Sequence, residues 1–335
     1  MSDPVLRKAK SLKAAVKSAF PETKSREGAA GPAVRYAEVD AGHEGQRLDN
    51  FLIRECKGVP KSHLYKAIRG GQVRVNKGRV QVDHRLQSGD IVRIPPFRVA
   101  ESPVKFVPAT EFPLVHEDEA LLVINKPEGV AVHGGSGVDF GVIEQLRAAR
   151  PDAKFLELVH RLDRDTSGLL VIAKKRSALV ALHASMRDGR WEKHYALIVG
   201  GDWVNDRQHV KRPLFKWTTK SGERRVRVDD QGLAAHTIFS MMQRLGEFSV
   251  LDAQLKTGRT HQIRVHAASL GFPLVGDDKY GNDALNQGVA QRGHRRMFLH
   301  ARRLAFPHPL THEILELETD LPQAFTRFIQ DFNQR

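Results

Sequence analysis

One stretch of the chain combines charged side chains in a pattern that could support catalysis. It runs from His160 to Gly168 and places two aspartates and two arginines within five residues. The apolar run 169–173 follows directly, with the composition of a buried strand. A loop that leads into a rigid strand can hold a carboxylate still, as a nucleophile or a base requires. Alone, the same pattern also fits a salt-bridged turn, so its chemistry depends on the other segments.

Three common kinds of catalytic site do not match the sequence. Pairs such as His261 and His266 lack the cysteines or spaced carboxylates that complete a metal site, so we expect no metal. The segment 160–163 has the pattern of a kinase catalytic loop, but Asp139-Phe140-Gly141 precedes it, whereas in kinases that tripeptide follows. Thr166-Ser167-Gly168 does not supply the Gly-x-Ser-x-Gly elbow of a serine hydrolase. A lone carboxylate with an arginine partner remains.

The charge balance of the chain points to an anionic partner. Of 335 residues, 53 are Lys or Arg and 39 are Asp or Glu, which gives a formal net charge of +14. This excess favours nucleic acid, although a basic protein kept soluble by its charge is an alternative. Cys56 is the single cysteine, which excludes a disulfide framework. No apolar run approaches the roughly 20 residues of a membrane span and the N-terminus lacks a signal peptide's apolar centre, so we expect a cytoplasmic protein.

The spacing of apolar residues predicts two domains preceded by a tail. Residues 1–45 are rich in Lys, Ala, Gly and Pro, which predicts a disordered basic tail that either contacts RNA or is an inert extension. Residues 46–94 predict a compact domain of two helices and a small sheet. The prolines of residues 95–111 predict a stiff linker. Residues 112–332 form the larger domain, which contains the charged loop.

The small domain has the composition of an RNA-binding module. Its predicted elements are two helices near Leu48–Cys56 and at Lys61–Arg69, and strands near Val73–Val75, Val80–Val82 and Ile91–Ile94. Residues 46–94 hold 11 Lys or Arg and 4 Asp or Glu. We expect helix cations, above all Lys61 and Lys66, to contact phosphates, although a merely solvated basic face is the alternative. The domain resembles an S4-type RNA-binding domain in the order of four segments: Arg47-Leu48-Asp49, Val59-Pro60-Lys61-Ser62, Gly71-Gln72-Val73-Arg74-Val75-Asn76 and Gly89-Asp90.

Two elements of the larger domain are expected to lie beside the charged loop. A strand predicted at Glu192–Val199 carries Tyr195. A helix predicted to begin with Thr260 as its N-cap carries Ile263 and Arg264. These elements can therefore bring an aromatic ring and a guanidinium to the carboxylates of the loop.

The segment 205–245 predicts a charged, loop-rich region. Its cations are Lys211, Arg212, Lys216, Lys220, Arg224, Arg225 and Arg227. Such a concentration of positive charge predicts a second surface that contacts RNA.

A carboxylate, an arginine and a stacking aromatic residue in a basic chain suit chemistry on a nucleoside. The carboxylate of Asp163 could act as nucleophile or base at the sugar or at a pyrimidine ring. A buried arginine would hold it charged and in one rotamer. Tyr195 could receive a base taken out of its helix; without that context it is typical of a core tyrosine.

Four ordered motifs in residues 112–330 resemble the RluA family of pseudouridine synthases. They are His160-Arg161-Leu162-Asp163 with Thr166-Ser167-Gly168, Lys126-Pro127-x-Gly129, Lys193-x-Tyr195, and the run from Gly258 to His266. The resemblance implies an α+β fold, with a mixed, mainly antiparallel sheet flanked by helices and loops. It also implies isomerisation of specific uridines to pseudouridine in 23S ribosomal RNA, on a base flipped into a cleft.

The resemblance further implies a role for each matching residue. Asp163 would attack the uridine or remove a sugar proton, Arg264 would pair with it, and Tyr195 would stack on the flipped base. The residues implied to contact substrate or RNA are Lys126, Arg161, His261, Gln262 and Ile263, together with Lys61 and Lys66 of the small domain. Lys126 is also expected to brace the loop, and His160 to serve as a scaffold. No organic cofactor or metal is implied.

Two other functions remain open at this point. A non-catalytic RNA-binding or ribosome-assembly protein would use the same basic surface without Asp163. An enzyme that modifies transfer RNA would use the same site, although the S4-like domain favours a large structured RNA. We expect a monomer.

Overall fold

The computed structural model describes residues 33–40, 43–56, 58–97, 106–135, 138–219 and 222–333. The chain divides into two compact units, with the division between Ser102 and Pro103. None of the helices in the described ranges combines the length with the apolar composition that a membrane span requires.

The first unit is a small α+β domain with its own core. Its elements are β1 (Arg35–Glu38), α1 (Leu48–Glu55), α2 (Lys61–Arg69), β2 (Arg74–Val75) and β3 (Ile91–Ile94). The strands form an antiparallel sheet in the order β1-β3-β2. The helical spacing of Leu48, Leu52 and Leu64 buries all three side chains in the core of this unit. Helix α2 has the predicted bounds.

Two features of this unit differ from expectation. Residues 1–32 of the predicted tail lie outside the described residues, but β1 pairs along its whole length with β3, so the unit extends further toward the N-terminus than expected. The strand predicted at Val80–Val82 is wrong, because β2 pairs with β3 instead. The Asn76 carboxamide favours this pairing, since it accepts from the Ile91 amide and donates to Asp90, at 2.9 and 2.8 Å.

One large sheet organises the second unit. Its first elements are β4 (Leu114–Glu117), β5 (Leu121–Lys126), α3 (Val142–Ala149), β6 (Glu157–Leu158), β7 (Ser167–Ala173), α4 (Arg176–Arg187), β8 (Glu192–Gly200), β9 (Arg207–Val210), β10 (Leu214–Thr218) and β11 (Arg224–Val228). The remaining elements are β12 (Thr237–Arg244), β13 (Phe248–Leu255), α5 (Gln262–Ser269), α6 (Asp283–Gln291), β14 (Leu299–Pro307), β15 (Ile314–Glu318) and α7 (Gln323–Asn333).

The sheet has ten strands in the described residues, along the path β4-β5-β7-β14-β8-β13-β12-β9, with β15 beside β14 and β6 beside β7. Among these pairings only β7 with β14 is parallel. The prediction of an α+β fold with a mixed, mainly antiparallel sheet is therefore confirmed.

The central strand β7 is covered on both faces. Every residue of β7 is buried, as its continuous apolar run predicts. Leu170 packs in a cluster with Leu146 of α3, whereas the next residue, Val171, packs in a second cluster with Leu182 of α4. Successive side chains point to opposite faces of a strand, so the two helices lie on opposite sides of the sheet. The loop before β7 therefore begins from a rigid base.

The segment 205–245 is not loop-rich, and that prediction is wrong. The segment consists largely of strands: β9, the separate hairpin formed by β10 and β11, and β12. In β11, Val226 and Val228 alternate with arginines, which is a strand pattern. The many charged residues of the segment hid this pattern and favoured a loop.

Candidate active site

A cavity of about 390 Å³ opens in the second unit where the loop before β7, strand β8 and the start of α5 meet. Its volume lies at the lower end of the range of roughly 300–1,000 Å³ that small-ligand sites occupy. This size suits one nucleoside and excludes a base-paired helix. The cavity brings together seven residues that the sequence singled out: Arg161, Asp163, Tyr195, His261, Gln262, Ile263 and Arg264.

The loop that carries Asp163 is fixed to the sheet at its C-terminal end. Gly168 has φ of 111° and pairs with Ala301 of β14. A Cβ atom at Gly168 would lie 2.3 Å from the Ala301 carbonyl oxygen, so only glycine permits this approach. His160, at the other end of the loop, is hydrogen-bonded to β7, because its Nε2 accepts from the Val171 amide at 3.2 Å. Burial lowers the pKa of His160 to about 3, so the ring is neutral and acts as a scaffold.

Lys126 braces the loop from the end of β5. Its ammonium donates to the carbonyl oxygens of Pro127, Val130 and Arg164, at 2.7, 2.8 and 2.9 Å. The side chain is fully buried, and burial lowers the pKa of Lys126 to about 8, against the opposing charges of Asp165 and Asp163. The expectation that Lys126 contacts RNA is therefore wrong, because all three donors are used inside the protein.

Arg264 contacts three carboxylates, of which Asp163 and Asp277 are the closest. Its Nη1 donates to Asp163 Oδ2 at 3.1 Å, while Nε and Nη2 form a bidentate pair with Asp277 at 2.7 and 2.6 Å. The Arg264 side chain is 4% exposed and that of Asp277 is fully buried, whereas Asp163 is 30% exposed. Burial disfavours the charge of Arg264, but hydrogen bonds and charges from Asp277 and Asp163 outweigh it and raise the pKa above its ordinary value. Asp163 is thus anchored yet open to the cavity.

Asp277 and Tyr280 belong to a turn that the sequence analysis did not single out. Asp277 Oδ1 also accepts from the amides of Lys279 and Tyr280, at 2.8 and 3.1 Å. The Arg264 guanidinium carbon lies 5.2 Å from the centre of the Tyr280 ring. The signal was available, since two adjacent aspartates and an aromatic residue stand between Gly276 and Gly281. The turn fixes Arg264 as Arg264 fixes Asp163.

His261 is a neutral neighbour of Asp163. Its Nδ1 lies 2.8 Å from the Tyr280 hydroxyl, and its Nε2 lies 3.8 Å from Asp163 Oδ1. The Tyr280 hydroxyl accepts from the Val226 amide at 2.9 Å, and we assign its own proton to His261 Nδ1. Burial lowers the pKa of His261, in spite of the Asp163 charge, so the ring carries one proton. That proton is then on Nε2, directed toward Asp163.

Thr260 is not the N-cap of α5, as the sequence predicted, and the side chain of Gln262 stabilises the start of the helix instead. The N-cap residue is His261, in the left-handed conformation with φ of 53°. Gln262 Oε1 accepts from the Thr257 hydroxyl and from the Arg259 amide, at 2.7 and 3.0 Å. Its Nε2 donates to the His236 carbonyl and to Thr237, so the buried carboxamide is fully used and the expected RNA contact is wrong.

An apolar wall faces the charged pair. Tyr195 lies on β8 between Ala253 of β13 and Ala301 of β14, and it shares a cluster with Ile263. Burial raises the pKa of Tyr195 above its ordinary value, and the charge of Asp163 adds to the effect, so the phenol stays protonated. Tyr195 and Ile263 are thus an apolar part of the cavity lining.

Three cations line the cavity without a carboxylate partner among the described residues: Arg161, Lys193 and Arg259, the last of which donates to the Ala234 carbonyl. Arg161 is exposed on the loop, and Lys193 lies on β8 two residues before Tyr195. Burial lowers the pKa of Lys193 below its ordinary value. Lys193 was not assigned a contact from the sequence, although its alternation with Tyr195 places both on one face of a strand.

The two lysines predicted to contact RNA in the first unit are exposed on α2. Lys61 and Lys66 have no carboxylate within ion-pair distance in the part of the chain that the structure describes. Both ammonium groups are therefore available to phosphates. Over the same part of the chain, no three His, Cys, Asp or Glu side chains converge as metal ligands would.

Comparison with known proteins identifies the two parts of the chain. The family profile described as RNA pseudouridylate synthase matches residues 120–269, and the S4 domain profile matches residues 46–92.

Curated relatives match nearly the whole chain. A protein of Pasteurella multocida is 48% identical over 304 residues, which are 89% of this chain and 93% of the relative. A protein of Escherichia coli is 46% identical over 308 residues, 89% of this chain and 97% of the relative. Both carry the name ribosomal large subunit pseudouridine synthase C. Among solved structures, human RNA Pseudouridylate Synthase Domain Containing 4 is 25% identical, with a TM-score of 0.55, and the match covers 66% of this chain and 92% of that one.

Proposed function

The chain belongs to the RNA pseudouridylate synthase family, and we propose that it converts specific uridines of large-subunit (23S) ribosomal RNA into pseudouridine. The observation that carries the proposal is the pair of Asp163 and Arg264 at a cavity that suits one nucleoside. The names of the relatives supply the class of RNA.

The reaction rearranges one nucleotide. The N1–C1′ bond of the uridine breaks, the uracil turns, and a C5–C1′ bond forms. The proton on C5 is released and N1 takes up a proton, so the product has the composition of the substrate. No group has to be carried, and side chains with a bound uridine are sufficient for this chemistry.

Asp163 is the residue that acts on the uridine in this proposal. Its carboxylate serves as nucleophile at C1′ or as base toward a sugar proton, and both routes need an anion in a fixed position. Arg264 fixes that position through a planar guanidinium that Asp277 already orients. The His261 ring lies beside the other carboxylate oxygen, with Nε2 3.8 Å from it.

The wall of the cavity holds the base. A uracil taken out of its helix lies with one face on Tyr195 and is pressed from the start of α5 by Ile263. The free cations Arg161 and Lys193 bind the phosphates that accompany the flipped nucleotide. One side of the cavity is therefore apolar and holds the base, and the other side is charged and holds the phosphates and the catalytic carboxylate.

The first unit supplies a separate grip on the RNA. Lys61 and Lys66 contact the phosphate backbone and raise the affinity for a large structured RNA. We propose that the enzyme acts in the cytoplasm. We also propose that it acts as a monomer, because one chain carries every residue of the site. Light scattering on the purified chain measures its mass directly.

A pseudouridine map of ribosomal and transfer RNA tests the proposal. Cells that lack the gene should lose modification at specific uridines of 23S RNA, and the wild-type gene should restore it. The Asp163→Asn gene should not. Loss confined to transfer RNA would assign the other substrate, and full restoration by Asp163→Asn would assign a non-catalytic role.

A further inference from the structure

The β10–β11 hairpin has an outer face that the catalytic chemistry does not use. Phe215 pairs with Arg227, and Trp217 pairs with Arg225. Residues opposite each other in an antiparallel pair lie on the same face, and so do alternate residues of one strand. Two aromatic and two arginine side chains therefore share one face of the hairpin.

The opposite face anchors the hairpin to the active site. Leu214 and Val226 pack against Val265, the residue that follows Arg264 on α5. The Val226 amide also donates to the Tyr280 hydroxyl, which contacts His261. The hairpin is therefore fixed to the same helix and turn that position Asp163.

The aromatic rings of the outer face are accessible. Phe215 is 37% exposed and Trp217 is 38% exposed, although large apolar side chains on strands are ordinarily buried. The Arg227 guanidinium carbon lies over the Phe215 ring, 5.5 Å from its centre, and helps to keep that ring in place. Exposed rings beside arginines indicate a binding surface more than a core defect.

The charge on the hairpin selects the kind of partner. Arg225 and Arg227 share the outer face with the rings and are paired with Glu223 and Asp229. The exposed Lys216 and Arg224 lie on the other face and have no carboxylate partner among the described residues, so the hairpin keeps a net positive charge. Rings that stack and cations that face phosphates are the two components of a surface for single-stranded nucleic acid.

We propose that Phe215 and Trp217 form a stacking platform for unpaired bases that flank the target uridine. The proposal rests on the proposed function, because it takes the RNA substrate from there and adds a site outside the cavity. The platform holds the strand on either side of the flipped nucleotide, so it contributes to RNA binding and leaves the chemical step to Asp163.

Fluorescence of Trp217 tests the contact itself. The chain has three tryptophans, and Trp191 and Trp203 are buried. Titration of the full chain with single-stranded oligouridylate should quench the exposed tryptophan, and the quenching should disappear in Trp217→Phe. A duplex RNA of equal length should quench far less. Absence of quenching by the oligouridylate would overturn the proposal.

Steady-state kinetics on a 23S RNA transcript test its use. Trp217→Ala and Phe215→Ala should each raise KM roughly tenfold and leave kcat unchanged, because a stacked ring contributes binding alone. Trp217→Phe should stay close to the wild type, and Ile314→Ala, a change of another exposed apolar residue, serves as the control. Unchanged KM in both alanine variants would refute the platform. An inactive wild-type enzyme would instead contradict the proposed function and leave the quenching result standing.

Discussion

Replacing Asp277 with asparagine should destabilise the second unit far more than the same change at the neighbouring Asp278. Both carboxylates contact Nη2 of Arg264, at 2.6 and 3.4 Å. They differ in burial, since the Asp277 side chain is fully buried and the Asp278 side chain is 62% exposed. The two variants therefore compare the loss of a buried carboxylate with the loss of an exposed carboxylate at the same guanidinium.

The magnitude follows from the hydrogen bonds that Asp277 accepts. It receives two from Arg264 and two from backbone amides. Removing one partner of a buried ion pair costs about 3–5 kcal/mol, because the other charge stays buried. An exposed pair contributes about 0–1 kcal/mol. Asp277→Asn should also lower kcat by about tenfold to a hundredfold, since Arg264 no longer orients Asp163.

Urea unfolding followed by tryptophan fluorescence measures the stability difference. All three tryptophans lie in the second unit, so the signal reports on the unit that contains the site. Tritium release from RNA labelled at C5 of uridine gives kcat for the same preparations. Equal, small effects of the two substitutions on stability and on kcat would refute the claim that Asp277 positions the catalytic pair.

Three further changes have definite expected outcomes. Lys126→Met should lower the free energy of unfolding by about 2–4 kcal/mol, because three carbonyls lose their donor. The pKa of Lys126 is about 8 in the folded protein and 10.5 ordinarily, so between these pH values the unfolded chain binds more protons than the folded chain. The stability of the wild type relative to Lys126→Met should therefore rise as the pH increases from about 8 to 10.5. Lys61→Glu with Lys66→Glu should weaken RNA binding about tenfold or more at low salt and reduce its salt dependence, as filter binding at several salt concentrations will show. Tyr280→Phe should cost about 1–2 kcal/mol in urea unfolding, because the Val226 amide and His261 lose a shared partner.

Local patterns predicted individual helices and strands well. The bounds of α2 followed from helical spacing between Pro60 and Gly70, and the buried strand β7 followed from one continuous apolar run. The pairing of Asp163 with Arg264, 101 residues apart, was implied by a family resemblance, since spacing alone contains no information on such contacts.

Other features depended on tertiary packing. The family resemblance implied an RNA contact for Lys126, but the ammonium is buried at the end of β5, where it binds three carbonyl oxygens that include that of Arg164. The resemblance also implied an RNA contact for Gln262, but its carboxamide closes the first turn of α5. Asp277 was missed because an aspartate in a glycine-flanked turn is typical of an exposed loop, and only the fold shows the buried arginine above it.

The central claim is that the carboxylate of Asp163 carries out the reaction on a flipped uridine. Single-turnover tritium release from 23S RNA labelled at C5 of uridine, with wild-type and Asp163→Asn enzymes at saturating and matched RNA occupancy, tests it most directly. We expect the wild type to release tritium in proportion to enzyme, and Asp163→Asn to bind the same RNA with similar affinity and release none. Release by Asp163→Asn at the wild-type rate would contradict the claim.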